Sequence, residues 1–211
     1  MFITFEGPDG SGKTTHIRLL ADRLRQRGLD ILQTREPGGT VLGDKIRSLV
    51  LDHQLEAVDP VAEMLLIAAG RAQHVHQVLR PHLQKNGIIL SDRYVDSSLV
   101  YQGHALGLGW ERVQQVNEIA ISGLWPDLTI LLMLPPEEAF TRSARIRQQA
   151  DRIESRGPEY YQKVCEGYLL LVKRFPIRVC MLDARQPVGA VHEAIVQLVD
   201  SHLKIKSSWG G

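Results

Sequence analysis

At 211 residues the chain suits one α/β domain with a sizeable buried core, and 44% apolar with 23% charged residues is ordinary globular composition. A net charge of +1 gives no global field that would draw the chain to nucleic acid or to a membrane surface. Two lone cysteines, Cys165 and Cys180, and no apolar run of spanning length exclude a disulfide scaffold and a helical membrane protein.

The first predicted element, residues 2–6, is a short apolar run rich in β-formers. Its start at residue 2 leaves no room for a cleavable signal, so a cytoplasmic location is expected. It runs into Gly7-Pro8-Asp9-Gly10-Ser11-Gly12-Lys13-Thr14-Thr15, a G-x-x-x-x-G-K-T pattern. Glycines there let successive backbone N–H groups converge on a phosphate chain, with the positive end of the next helix behind them. Lys13 is expected to reach the outer phosphates and the Thr14 hydroxyl to hold Mg²⁺. Ile17, Leu20, Ala21 and Leu24 repeat at helical spacing, which supplies the strand–loop–helix context the pattern requires. The stretch reads as a nucleoside triphosphate site.

A second strand over 30–34 ends in Arg35-Glu36-Pro37-Gly38-Gly39-Thr40, placing a charged pair at the carboxyl end of a strand, where α/β sheets bind ligands. A short helix carrying Arg47 follows, with Leu42, Ile46, Leu49 and Val50 on its pattern. Residues 61–83 read as a helix whose apolar start, Val61 to Ala69, suits a dimer interface. Arg71 lies one turn after Ile67 on the same side. His74, His76 and His82 lack the spacing of a helical metal pair and read as surface or interface histidines.

A third strand over 87–92 ends in Asp92, where a carboxylate can reach the Mg²⁺ shell beside Thr14. The polar run from Arg93 to Gly103 carries too much chemistry for a connector. A helix over 110–122, a strand over 127–134 and a helix starting at Glu137 come next. Residues 141–157 hold Arg142, Arg145, Arg147, Arg152 and Arg156 against Asp151 and Glu154. Arginines without lysine suit planar, bidentate phosphate contacts, so the segment reads as a lid over the phosphates. With no Trp or Tyr interleaved, it is a poor nucleic-acid platform. A helix through Val164 to Phe175, a strand over 177–182 and a helix over 190–203 complete one domain, 1–203, ahead of a frayed polar tail, 204–211. The alternation predicts an α/β P-loop fold: a doubly wound, parallel sheet of about five strands with helices on both faces and an arginine-rich lid.

No D-x-x-G switch or N-K-x-D loop stands where a GTPase needs it, and Arg93 after Asp92 suggests a second anionic ligand beside the triphosphate. That is the pattern of a kinase with a phosphorylated acceptor. F-E-G-P-D-G-S-G-K-T-T (5–15), T-R-E-P-G-G-T (34–40), D-R-Y-x-D-S-S (92–98), Y-Q-G (101–103) and D-R-I-E (151–154) together resemble the bacterial thymidylate kinases, in order from Phe2 to about Val199. The resemblance implies transfer of the γ-phosphoryl of ATP to dTMP with Mg²⁺, by a homodimer. It implies that Gly7, Pro8, Asp9, Gly10, Ser11, Gly12, Lys13, Thr14, Thr15 and Arg142 contact ATP and that Thr14 and Asp92 hold the metal. Asp9 would take the acceptor's 3′-hydroxyl. Arg93 and Arg35, with Glu36, would frame the acceptor phosphate and the metal region, and Arg47 would add a phosphate contact. Arg71 and Gln102, helped by Ser98, would read the base edge, and Tyr101 would crowd the sugar's 2′ position. Residues 8–11 carry no cation, so Arg152 is the expected catalytic lid arginine beside Lys13, Arg93 and Asp9, supported by Arg142, Arg145 and Arg147. One departure stands out: Ile67 occupies the position where these kinases commonly carry a phenylalanine that stacks on thymine. A different deoxynucleotide acceptor is the nearest alternative reading.

Overall fold

The computed structural model describes residues 1–52, 54–55, 58–146, 152 and 156–208, with the side chains of 144–146 and 205–208 outside that description. Five strands, β1 (Phe2–Glu6), β2 (Ile31–Arg35), β3 (Ile88–Asp92), β4 (Leu128–Met133) and β5 (Val179–Asp183), form one parallel sheet in the order β2-β3-β1-β4-β5. β1 pairs with β3 and β4 and is buried at every residue, as its unbroken run of β-formers requires. All five strands end on one edge, so Glu6, Arg35, Asp92 and Asp183 lie along a common crevice rim.

Helices cover both faces. On one, α1 (Lys13–Gln26) and α9 (Val188–Ser208) pack Ile17, Leu20, Leu24 and Ile195 against Ile3, Phe5, Leu90 and Ile130 of the sheet. Each such buried aliphatic side chain contributes about 2 kcal/mol of transfer free energy. On the other, α3 (Pro60–His74), α6 (Trp110–Ile121) and α8 (Pro158–Arg174) enclose a second core around Met64, Val113, Leu131 and Tyr168. Asp59 accepts from the N–H groups of Val61 and Ala62, and Pro60 opens the helix, so α3 starts on a capped, pre-set turn.

The single helix expected over 61–83 is continuous but has three parts: α3, a π-helical turn (Val75–Leu79) and α4 (Arg80–Gln84). The polar run after β3 forms α5 (Val95–Ser98) and a π-helical segment (Leu99–Ala105). β5 starts at Val179 rather than 177 because Arg178 and Val179 donate back to the Phe175 carbonyl, closing a turn that leaves Ile177 exposed. α9 continues to Ser208, where a frayed tail was expected from Lys204; no helix breaker occurs before Gly210. α2 (Val41–Leu51) and α7 (Pro136–Ile146) complete the fold. No helix among the described residues is long and apolar enough to cross a membrane.

Candidate active site

The phosphate loop leaves β1 at Gly7, where φ is +135° and an added Cβ would stand 2.2 Å from the Leu132 carbonyl oxygen of β4. Only glycine fits so close to a neighbouring backbone. Gly10 lies against the Cβ of Arg142 on α7, so that arginine stands over the loop, with Nη1 donating to the Ala184 carbonyl and Nη2 to Glu138. Lys13 turns its ammonium inward, donating to the carbonyls of Gly7 at 3.1 Å and Pro8 at 3.0 Å. Burial, then the neighbouring Arg93 charge, pushes its pKa down. The Thr14 hydroxyl donates to Asp92 Oδ2 at 2.8 Å, joining the two expected metal residues at the loop's mouth.

Arg93 occupies the junction of β3 and α5 with φ at +68°, a costly conformation for a side-chain-bearing residue. Its Nη2 donates to Asp9 Oδ1 at 2.8 Å and its Nη1 to Ser97 Oγ and Tyr168 Oη, while the guanidinium lies 4.9 Å from the centre of the Tyr101 ring. The loop's own acid and the strand-end arginine are therefore one ion pair. Beyond it, Asp9, Glu36, Arg47, Ile67, Arg71, Arg93, Ser98, Tyr101 and Gln102 line a single pocket. The π-helical turn carries Tyr101 and Gln102, and this local widening brings both to the pocket wall.

Arg71 is 2% exposed and gives Nε to Glu36, Nη1 to Ser98 and Asn117, and Nη2 to the Tyr94 carbonyl. Four of a guanidinium's five N–H groups are thus committed within the protein. Glu36 faces the pocket as expected, but both its oxygens are engaged, by Arg71 and by His74 Nδ1 at 2.9 Å. His74 thus bonds Glu36 through Nδ1, and its Nε2 shares a 2.8 Å hydrogen bond with the Thr34 hydroxyl. It is fully buried, which corrects its reading as a surface or interface histidine: its ring locks the turn after β2 to α3.

Two expected residues are not in the pocket. Arg35 has a side chain 60% exposed, 3.8 Å from Asp44, because successive side chains in a strand point to opposite sides and Glu36 takes the inward one. Arg152 donates to the Val50 carbonyl and to Glu63 Oε2, at the back of the acceptor wall. Arg147 and the side chain of Arg145 lie outside the described residues. A larger cavity, about 950 Å³, opens between α7, α8 and β5 over Phe140, Leu169 and Met181 and holds none of the expected residues.

The sequence model of the thymidylate kinase family matches residues 5–195. The chain is 49% identical over 203 residues to the thymidylate kinase of Caldanaerobacter subterraneus subsp. tengcongensis, covering 96% of each chain. It belongs to the thymidylate kinase family. It is also 41% identical over 215 residues to the thymidylate kinase of Roseiflexus castenholzii, covering 96% of this chain and 94% of that one. The crystal structure of thymidylate kinase from Ehrlichia chaffeensis superposes with a TM-score of 0.76 at 30% identity, covering 94% of this chain and 98% of that chain.

Around this candidate site, sequence reading assigned no role to Glu6, Glu63, Ser97, Asn117 or Tyr168. Glu6 and Glu63 did carry a signal, each being a lone acid in an apolar run. Tyr168 carried none, because its place in an apolar helical pattern is that of a core residue. Glu6 is fully buried and accepts from the Tyr94 N–H, Ser97 Oγ and Tyr168 Oη. Burial, with the Asp96 charge adding and Arg93 opposing, pushes its carboxyl up to about 7. A pKa raised from 4.5 means a stabilising contribution fully present below pH 4.5 and lost as pH rises through 7. Glu6→Gln should abolish that loss, which is worth about 3 kcal/mol at most. In thermal melts at pH 5 and pH 8, the wild type is expected to lose roughly 5–10 °C more than the variant between the two. Parallel pH dependence of the two proteins would refute the assignment.

Proposed function

We propose that this thymidylate kinase family member transfers the γ-phosphoryl group of ATP to dTMP in the cytoplasm, giving dTDP and ADP by direct in-line displacement. The observation that carries the reading is the Asp9–Arg93 pair, in which one residue of the phosphate loop is also a wall of the acceptor pocket. A donor held by the loop and an acceptor held in the pocket then meet end to end, and positioning with charge compensation is most of what phosphoryl transfer needs. No side chain has to act as nucleophile, because the acceptor's phosphate oxygen does.

The hydroxyl of Thr14 and the carboxylate of Asp92, hydrogen-bonded at the loop's mouth, are a hard oxygen pair suited to a magnesium ion completed by phosphate oxygens and water. Magnesium bound there neutralises charge on the phosphates. Lys13 and Arg142 serve the donor, Arg93 and Arg47 the acceptor phosphate, and Asp9 the sugar hydroxyl, with Tyr101 against the sugar. Arg71 keeps one N–H for the base, beside Gln102 and Ser98. Arg152 would have to exchange its Glu63 contact for the transferring group to act as the catalytic arginine. A homodimer is supported by apolar side chains left in solvent on α2, α3 and α6: Leu49, Leu65 and Ile119.

The test is ADP release with MgATP and each of dTMP, dUMP, dCMP, dGMP, dAMP and UMP. Strong preference for dTMP is expected, and absence of acceptor-dependent turnover would refute the enzyme reading. In the same assay Ile67→Phe should lower the KM for dTMP about threefold to tenfold, because an aromatic ring stacks on a base face where an aliphatic chain only packs. Calorimetry that finds weaker dTMP binding would remove Ile67 from the base-contacting wall.

A further inference from the structure

None of the roles above uses Glu63, the lone acid of the apolar start of α3. Its side chain is fully buried behind the acceptor pocket. Oε1 accepts from Gln102 Nε2 at 2.9 Å, and Oε2 accepts from Nη2 of Arg152 and Nη2 of Arg156, each at 2.6 Å. A buried carboxylate alone would take up a proton, but here cations from one segment surround it. Burial pushes its pKa up; the Arg156 charge and the hydrogen bonds from Arg152, Arg156 and Gln102 outweigh that and hold it below the usual range. Glu63 is therefore an ionised acceptor with no proton to give. Only the NH₂ end of the Gln102 amide can face it. The amide oxygen is turned the other way, Gln102 lines the pocket, and no described residue donates to that oxygen.

We propose that Glu63 is a positioning residue that fixes the polarity of the Gln102 amide and so makes the acceptor pocket selective for a base with an imide edge. The proposal rests on the reading above, in which Gln102 and Arg71 face the base. An imide edge is an N–H between two carbonyls. Its N–H donates to Gln102 Oε1 and one carbonyl accepts the remaining N–H of Arg71. A cytosine edge presents a bare ring nitrogen and an amino group, so acceptor meets acceptor and donor meets donor. Turning the Gln102 amide over would reverse the first of these mismatches. The Glu63 carboxylate forbids that turn, because amide oxygen would then face carboxylate.

Glu63→Gln tests this directly. The substituted amide is nearly the same shape and can pair with Gln102 in either orientation. The readout is the ratio of kcat/KM for dTMP to that for dCMP. Any effect of releasing Arg152 is common to both acceptors and cancels in this ratio, whereas a reorientation of Gln102 does not. The ratio is expected to fall about 10- to 100-fold, the scale of one polar match exchanged for one mismatch. Glu63→Asp, which keeps the carboxylate, should retain the wild-type ratio even where both rates fall. Should Glu63→Gln fail to fold, Arg156→Gln carries the test: with one cation fewer, Glu63 protonates more readily, and the ratio should drop as pH is lowered, unlike that of the wild type. An unchanged ratio in folded Glu63→Gln, or in Arg156→Gln across pH, overturns the proposal. So does wild-type protein that uses dTMP and dCMP equally, which leaves the kinase reading intact. Wild-type protein that transfers phosphate to neither refutes the kinase reading first, and this proposal with it.

Discussion

Lys13→Ala should lower kcat for phosphoryl transfer by about three orders of magnitude while leaving the melting temperature equal to or above that of the wild type. The two halves of that expectation come from one observation. Lys13 is 6% exposed, and its ammonium donates to two carbonyl oxygens, those of Gly7 and Pro8. Burial and the Arg93 charge both oppose its ionisation, so the protonated side chain weakens the unliganded fold. It repays that cost only when phosphate oxygens take the place of the carbonyls. An alanine removes the buried charge and the transition-state contact together, and so separates stability from activity. Single-turnover transfer rates and thermal melts of the two proteins check this. If melting temperature and rate fall together, Lys13 is holding the loop closed and is not chiefly serving the donor.

The residues legible in sequence are those whose chemistry is tied to backbone spacing. Gly7, Gly12, Lys13 and Thr14 sit at fixed intervals on one strand–loop–helix unit, and Asp92 closes a neighbouring strand, so their meeting follows from the parallel sheet alone. The acceptor wall was harder. Arg71, Ser98 and Gln102 come from different elements, and only the resemblance to known kinases grouped them before the pocket did. What no reading of spacing could reach is the wiring behind that wall. Glu36, from the turn after β2, holds both Arg71 and His74 of α3, and Glu63 joins the α3 start to Gln102 and to arginines some ninety residues away. A histidine with no partner in sight reads as surface; His74 is internal because the turn after β2 delivers a carboxylate and β2 a hydroxyl to its two ring nitrogens. Asp96 shows the converse. It sits in the most motif-like run of the chain, yet its carboxylate is filled by Arg178 and Thr129 and anchors α5 to the sheet.

Arg93→Lys, which conserves charge, should still lower kcat/KM for dTMP about a thousandfold and change the KM for ATP little. The guanidinium here spans Asp9, Ser97 and Tyr168 at once and lies over the Tyr101 ring. A lysine ammonium is a point donor on a flexible stem and cannot hold three separated partners, nor stack. The backbone adds its own evidence. A left-handed φ at a residue with a long side chain costs about 1–3 kcal/mol, and here the Arg93 N–H is fixed by a 2.9 Å bond to the Phe5 carbonyl of the strand that feeds the phosphate loop. The strained turn thus ties the arginine's position to β1 and, through Asp9, to the loop itself. Losing the fork should therefore misplace the acceptor phosphate relative to the donor, and a misplacement of that kind is paid in kcat. Steady-state rates with each substrate varied in turn separate the outcomes. A KM for ATP that rises as much as that for dTMP would put Arg93 on the donor. A variant within about threefold of wild type would mean that charge alone matters at this position, and that the planar contacts to Asp9, Ser97 and Tyr168 only shape the turn.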